Sequence, residues 1–211
     1  MKIFAIDTSA VAASCALAED GKIIFEFYTN AGLQHSRTLA PMIESAFKCT
    51  EISISDVDCF AVSKGPGSFT GVRIGIAAVK GMAFEKDKPC VGVSTLEAMA
   101  YNLECVKGII CSVMDARCSQ VYNALFEFNN GELSRLCDDR VLTVDELGSE
   151  LKNEKKPIIF VGDGALLCYN RLKDSLFDAH IAPEGQRFQR ASGVIKAAQT
   201  ALSKGQSVSA G

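Results

Sequence analysis

SKGPGSFTGVRIGIAAVKGMAF, residues 63–84, is the stretch on which the fold turns. The β-type residues Val57, Cys59, Phe60, Ala61 and Val62 run into Gly65-Pro66-Gly67, and Ser68 or Thr70 can then cap a helix. From that cap to Phe84 only Arg73 and Lys80 carry charge. Gly67, Gly71 and Gly75 recur at every fourth position and so share one helix face. Each helical glycine costs about 1 kcal/mol relative to alanine. Their repetition implies that something approaches this backbone closely, and predicts a helix over 69–84 buried on more than one side. The Gly-Pro-Gly turn also presents backbone N–H groups at the positive end of the helix dipole, where a phosphate could be held.

Outward from this stretch, residues 2–6 read as a strand ending at Asp7-Thr8-Ser9. Strands at 12–18 and 23–28 follow, joined by Glu19-Asp20-Gly21, a hairpin signal. An amphipathic helix spans His35 to Lys48 with Leu39, Met42, Ile43, Ala46 and Phe47 on one stripe. Pro41 predicts a start nearer Arg37–Ala40, or a kink. A strand at 89–93 and a helix at 95–104 close the first half. The second half repeats the order. ICSVM (110–114) ends at Asp115-Ala116-Arg117, and strands at 120–127 and 132–137 flank Asn129-Asn130-Gly131. A helix near 143–152, a strand at 157–161, the loop Gly162-Asp163-Gly164-Ala165 and helices at 164–173 and 190–203 complete the chain. Both halves therefore read strand–Asp, hairpin, helix, strand, Gly-loop, helix. The expectation is an α/β duplicated fold of the actin/hexokinase-like type (ASKHA, ribonuclease H-like). Its domains would be 1–104 and 105–211, flanking a cleft.

The 211 residues carry 22 Lys and Arg against 25 Asp and Glu, with a pI near 5.5. That balance argues against a freestanding nucleic-acid binder. Nine scattered cysteines without a CxxC pair read as small core residues in a reducing cytoplasm. Asp7 follows the first residues too soon for a secretory leader, and Arg73 and Lys80 interrupt the longest apolar run. A soluble cytoplasmic protein is expected.

Asp7, Thr8 and Ser9, with Gly65, Gly67 and Ser68, could hold a nucleotide phosphate and Mg²⁺, or could equally be a strand cap with no ligand. Arg73 and Lys80, two turns apart, either neutralise an anion or a partner's carboxylate, or are solvated positions on a buried helix. His35 has only His180 for company, so a metal site is not expected and a capping or hydrogen-bonding role is. Asp115-Ala116-Arg117 stands where an actin-type ATPase needs a glycine-rich second phosphate loop. Asp163 is an awkward neighbour for adenosine. The nucleotide site thus reads as vestigial, and no Walker, GxSxG or HExxH pattern appears.

GPGSFTGVRIGIAAVKGMA resembles the signature of the bacterial TsaB (YeaZ-type) family, within the glycoprotease-like group. AIDTS, QHSRTLAPMI (34–43), STLEAMA (94–100) and MDARCSQVY (114–122) fit the same pattern in order. Cys118 departs from it, standing where a second arginine or another polar residue is usual. Ser207-Val208-Ser209-Ala210-Gly211 lacks the usual proline-tyrosine-leucine-arginine tail. The resemblance implies a non-catalytic scaffold subunit of the machinery making threonylcarbamoyladenosine beside the anticodon of tRNAs reading codons that begin with A. It would pair with TsaD, a catalytic paralogue that keeps a metal through two histidines on its first helix. TsaE, an ATPase, joins them, and TsaC supplies the activated threonylcarbamoyl group. No catalytic residue, metal or cofactor is expected in the isolated chain, although a nucleotide could sit at the inter-subunit cleft. tRNA would be reached only through the complex, and the chain alone could form a homodimer. The expected partner interface is His35, Leu39, Met42, Ile43, Phe69, Val72, Arg73, Ile76 and Lys80, on two helices with more apolar surface than a sheet face covers. Two rivals stand beside this: an actin-fold ATP-dependent kinase or ATPase, and a glycoprotease-type hydrolase.

Overall fold

A computed structural model describes residues 1–32 and 34–207; the tail reading at 208–211 lies outside them. Two compact units emerge, Met1–Ala98 with the segment from Gln189 onward, and Met99–Phe188.

In the first unit β1 (Lys2–Asp7), β2 (Ala13–Glu19) and β3 (Lys22–Thr29) form an antiparallel meander. Its first turn uses Asp20 and Gly21, both at positive φ (48° and 85°), which matches the twist of the flanking strands. Helix α1 (His35–Thr50), β4 (Cys59–Ser63), α2 (Phe69–Phe84), β5 (Cys90–Val93) and α3 (Thr95–Ala100) follow, and the sheet order is β3-β2-β1-β4-β5. Strand periodicity divides the sheet into two faces. Phe4, Ile6, Leu17, Phe60 and Val62 join Leu39, Met42, Ala46, Val79 and Ala83 in one core beneath α1 and α2. The alternate positions Ala5, Ala16, Ala18 and Ala61 are small and fully buried.

Helix α1 begins at His35, earlier than Pro41 suggested, with Pro41 held inside it. The missing N–H at Pro41 removes one backbone bond. Burial of Leu39, Met42 and Ala46 on the sheet offsets that loss.

The second unit holds β6 (Ile109–Arg117), β7 (Gln120–Asn129), β8 (Glu132–Arg135), β9 (Arg140–Thr143), α4 (Val144–Leu151), β10 (Ile158–Val161), α5 (Ala165–Leu172), β11 (Ala179–Ile181) and α6 (Glu184–Arg187). Its sheet order is β11-β10-β6-β7-β8, with β9 also on β7. The central strand β6 thus has an antiparallel pair on one side and two parallel strands on the other, as β1 does. The duplication expected from the element order is present in the pairing itself. Strands β9 and β11 and helix α6 escaped the sequence because each is only three or four residues long, too short for periodicity to register.

The division at residue 104 needs correction. Helix α7 (Ala191–Ser203) packs on β1, β2, β4 and β5, so the chain returns to its first unit, and 105–211 is not one domain. Its buried residues are Ala191, Gly193, Val194, Ile195, Ala197 and Ala198, a small-sided stripe that suits the alanine-rich sheet face. Glu26 of β3 fixes its start. Oε1 accepts from Ser192 N at 3.0 Å and Ser192 Oγ at 2.8 Å, and Oε2 from Arg190 Nε at 3.3 Å. A carboxylate at the head of a helix also meets its positive dipole end.

Candidate functional site

The loop ending β1 is closed by its own side chains. Asp7 is 1% exposed and both its oxygens are taken. Oδ1 accepts from Ser9 N (2.9 Å) and Ser9 Oγ (2.6 Å), and Oδ2 from Ser63 Oγ at 2.5 Å. Burial pushes its carboxyl above the usual carboxylate range, against the pull of the Ser63 and Ser9 hydrogen bonds. Thr8 Oγ1 donates to Gly71 O at 2.8 Å, and Ser68 N donates to Ser9 O at 2.6 Å. The Ser68 hydroxyl, one of the two expected caps, accepts from Gly71 N at 3.2 Å.

The glycine face now has its explanation. A Cβ at Gly67 would collide with Ser9 O, and one at Gly71 with Thr8 O. At Gly75 it would stand 2.6 Å from Thr8 Oγ1 and 3.2 Å from Val62 Cγ2. What approaches α2 so closely is the chain's own β1–β2 connection. The expectation that α2 is buried on more than one side is corrected accordingly. Its fully buried positions are Gly71, Gly75, Val79 and Ala83, one stripe. Gly65, at φ 114°, accepts from Thr95 N through its carbonyl at 2.9 Å, tying the same turn to the start of α3. So Asp7, Thr8, Ser9, Gly67 and Ser68 are brought together, and the side chains of Asp7, Thr8 and Ser9 bond to one another, to Ser63 of β4 and to α2.

His35 Nε2 lies 2.6 Å from Ala10 O, so that nitrogen carries the proton. Its Nδ1 is buried without a partner among the described residues. Among those residues no cluster of three metal-ligating side chains occurs.

The predicted helical interface divides. Leu39 and Met42 are buried in the first unit's core, beneath the surface a partner could reach. They belong to folding, because the α1 stripe that looked surplus is the one the sheet covers. His35, Ile43, Val72 and Ile76 are half-buried, and Phe69, Arg73 and Lys80 are exposed. Phe69 is 70% exposed, with the Arg73 guanidinium stacked 3.6 Å from its ring centroid. Between the helices runs an open groove of about 910 Å³ whose walls include Ala40, Ile43 and Phe47 from α1 and Ala77, Gly81 and Met82 from α2. Ala77 and Gly81 were not singled out from sequence. Their signal was present in the i, i+4 step from Phe69 through Arg73, opposite the glycine stripe.

In the second unit the corresponding loop is also closed. Arg117 N donates to Asp115 Oδ1 at 2.7 Å, and Arg117, Cys118 and Ser119 all take positive φ (68°, 50° and 59°) in a tight hairpin. Gly164 N donates to Val113 O at 3.2 Å, and Gly162 N to Arg187 O at 2.7 Å. The backbone N–H groups of Arg117, Gly162, Gly164 and Ala165 in these loops are thus engaged by the protein itself.

Two sheets of one order, each with an aspartate at or near the end of its central strand (Asp7 in β1, Asp115 in β6), define an actin-like architecture. A dehydratase activator from Clostridium difficile shares the fold at TM-score 0.53 and 12% identity, over 97% of this chain and 95% of that one. Similarity of sequence narrows this further. The family model for TsaD, tRNA N6-adenosine threonylcarbamoyltransferase, matches residues 29–208. The Bacillus subtilis tRNA threonylcarbamoyladenosine biosynthesis protein TsaB is 34% identical over 176 residues, 83% of this chain and 77% of its own length. The Escherichia coli TsaB is 37% identical over 129 residues, 60% of this chain and 55% of that protein. YeaZ from Pseudomonas aeruginosa superposes with TM-score 0.78 at 26% identity, covering 99% of this chain and 95% of that one. The chain belongs to the TsaB (YeaZ-type) family.

Proposed function

We propose that the chain is a non-catalytic subunit in the synthesis of tRNA threonylcarbamoyladenosine, pairing through the open face of α1 and α2 with a TsaD-type subunit. The observation that carries the reading is the contrast between its two candidate sites. At the loop that would hold a phosphate, the side chains of Asp7, Thr8, Ser9 and Ser63 are engaged in hydrogen bonds within the protein. The groove between α1 and α2, by contrast, is open and largely apolar. A kinase or ATPase of this fold needs the reverse. In this reading TsaE and TsaC act with the pair, any nucleotide lies at the boundary between subunits, and tRNA is held by the assembly. The same face would serve a homodimer when the partner is absent. Function in the cytoplasm follows from the tRNA substrate, and no helix among the described residues is long and apolar enough to cross a membrane.

The test is co-elution of the purified chain with the TsaD-family subunit of the same genome, alongside modification of tRNA in a reconstituted mixture. Gly81→Leu is the informative variant. A Cβ at Gly81 meets nothing within 4 Å, so the fold should be kept while the groove is obstructed. Lost pairing with an unchanged melting temperature supports the reading. ATP turnover by the isolated chain, abolished by Asp7→Ala, would refute it.

A further inference from the structure

The first sheet ends in a strand that lacks the usual protection of an edge. Strand β3 is outermost and, among the described residues, pairs with β2 alone. It has 8 residues, whereas the other edge strands β5, β8, β9 and β11 have 3 or 4. Short length, proline, lysine or a covering element ordinarily keeps an edge from pairing with another chain. After Lys22 this strand reads IIFEFYT, without proline or a further lysine. Its one carboxylate, Glu26, is committed to the head of α7. A bulge is the single interruption: Ala18 faces Ile23 and Leu17 faces Phe25, so Ile24 is the extra residue. Beyond it residues 25–29 pair regularly with β2. Over that length, about 13 Å, alternate residues turn their N–H and C=O groups away from β2.

An open groove of about 320 Å³ runs beside the same segment, between β3 and α1. Phe27 and Thr29, two positions apart and so on one face of the strand, form its β3 wall. Pro41 and Met42 of α1 line it with apolar surface, and Arg37 is its only charged residue. Phe27 is 40% exposed. Arg37 is exposed as well, and among the described residues it forms no ion pair. No residue of this groove also lines the one between α1 and α2, so filling one leaves the other open.

We infer that this edge binds an extended segment of another protein by strand addition, the segment carrying an apolar and an acidic residue two positions apart. Main-chain hydrogen bonds to residues 25–29 supply the affinity, and the alternate side chains supply the selectivity. Two side chains on the α1-facing side of the added strand enter the groove. The apolar one lies against Phe27, Pro41 and Met42, and the carboxylate meets the Arg37 guanidinium. Charge decides the occupant. A second copy pairing through its own β3 brings no carboxylate to Arg37, because Glu26 is turned to the opposite face and held by Ser192. It would instead add a second Arg37 to the same edge.

The experiment titrates the full chain with a capped heptapeptide, TVTVTET, and follows backbone amide signals by NMR. Shifts should concentrate at residues 25–29 and 37–45 and spare residues 77–82 of α2. A peptide with lysine in place of the glutamate, or with alternate backbone nitrogens methylated, should bind roughly fivefold or more weakly. Arg37→Glu should reverse the preference between the glutamate and lysine peptides. Because Arg37 is exposed, the melting temperature of that variant should stay near the parent's. Absence of shifts at residues 25–29 with millimolar peptide would overturn the inference. So would binding indifferent to the peptide's charge and to methylation. Sedimentation of the same samples tests the rival occupant: a dimer that the peptide dissociates would assign the edge to a second copy and overturn the choice made here.

Discussion

Replacing Gly71 and Gly81 by alanine, one at a time, makes the same chemical change ten residues apart on one helix and should move stability in opposite directions. At Gly81 the new methyl group enters open space. The gain is then the intrinsic helix preference, about 1 kcal/mol. At Gly71 the same gain applies, but the Cβ falls on the carbonyl oxygen of Thr8, which is backbone and cannot rotate aside. Relief requires α2 to lift from the β1–β2 connection. Overpacking of this kind costs about 1–3 kcal/mol, and the Thr8 hydroxyl bond to Gly71 O adds about 0.5–1.5 kcal/mol if broken. With the bond broken, the net for Gly71→Ala is a loss of about 0.5–3.5 kcal/mol. For a chain of this size each kcal/mol is worth roughly 2–4 °C. Thermal melts followed by circular dichroism should show Gly81→Ala above the parent and Gly71→Ala below it. A Gly71→Ala variant that melts with or above the parent would refute the close approach of Thr8 to α2.

Three further outcomes are expected. Glu26→Ala should lower stability by about 1–3 kcal/mol by removing the acceptor of three hydrogen bonds at the head of α7, and hydrogen exchange should rise first in residues 191–203. Because burial holds the Asp7 carboxyl above its ordinary value of 3.8, the folded state binds this proton more tightly than the unfolded chain. Its contribution is present below pH 3.8 and is lost as pH rises from there through the higher folded value. Urea melts of the parent against Asp7→Asn should thus show a stability difference that shifts against the parent across that range; a difference constant with pH would contradict it. Cys15, Cys59 and Cys168 are pushed to about 12 by burial, whereas Cys49, Cys105 and Cys118 are exposed. Iodoacetamide at pH 8 should label the latter three first, as read by peptide mass spectrometry; early labelling of Cys168 would place it outside the core.

The nine cysteines show how far composition reaches. A core reading holds for Cys15, Cys59, Cys90, Cys111 and Cys168 and fails for the three exposed ones, because Cys49 lies in the last turn of α1 away from the sheet and Cys105 and Cys118 lie in turns. The candidate site was likewise legible in part. Gly67, Gly71 and Gly75 announced a close contact, since glycine at a helix spacing has a local cost that demands a local cause. Nothing in the spacing could say that the contacting atoms are Thr8 and Ser9 of the same chain, some sixty residues earlier.

What the sequence by itself determined was everything written in short-range chemistry. Asp20-Gly21 and Asn130-Gly131 supply the positive φ of tight hairpins, Ser68 caps α2, and the repeated order of strand, hairpin, helix and strand specifies two sheets of one pattern. Tertiary structure alone decided which helix faces are spent. Leu39 and Phe69 are both large and apolar, yet the first is 4% exposed and the second 70%. Periodicity marks a stripe but not the side on which the sheet will lie. It also decided the return of α7, whose small residues fit a sheet face made of Ala5, Ala16, Ala18 and Ala61. That fit exists only once strands distant in sequence have paired, so no window along the chain contains it.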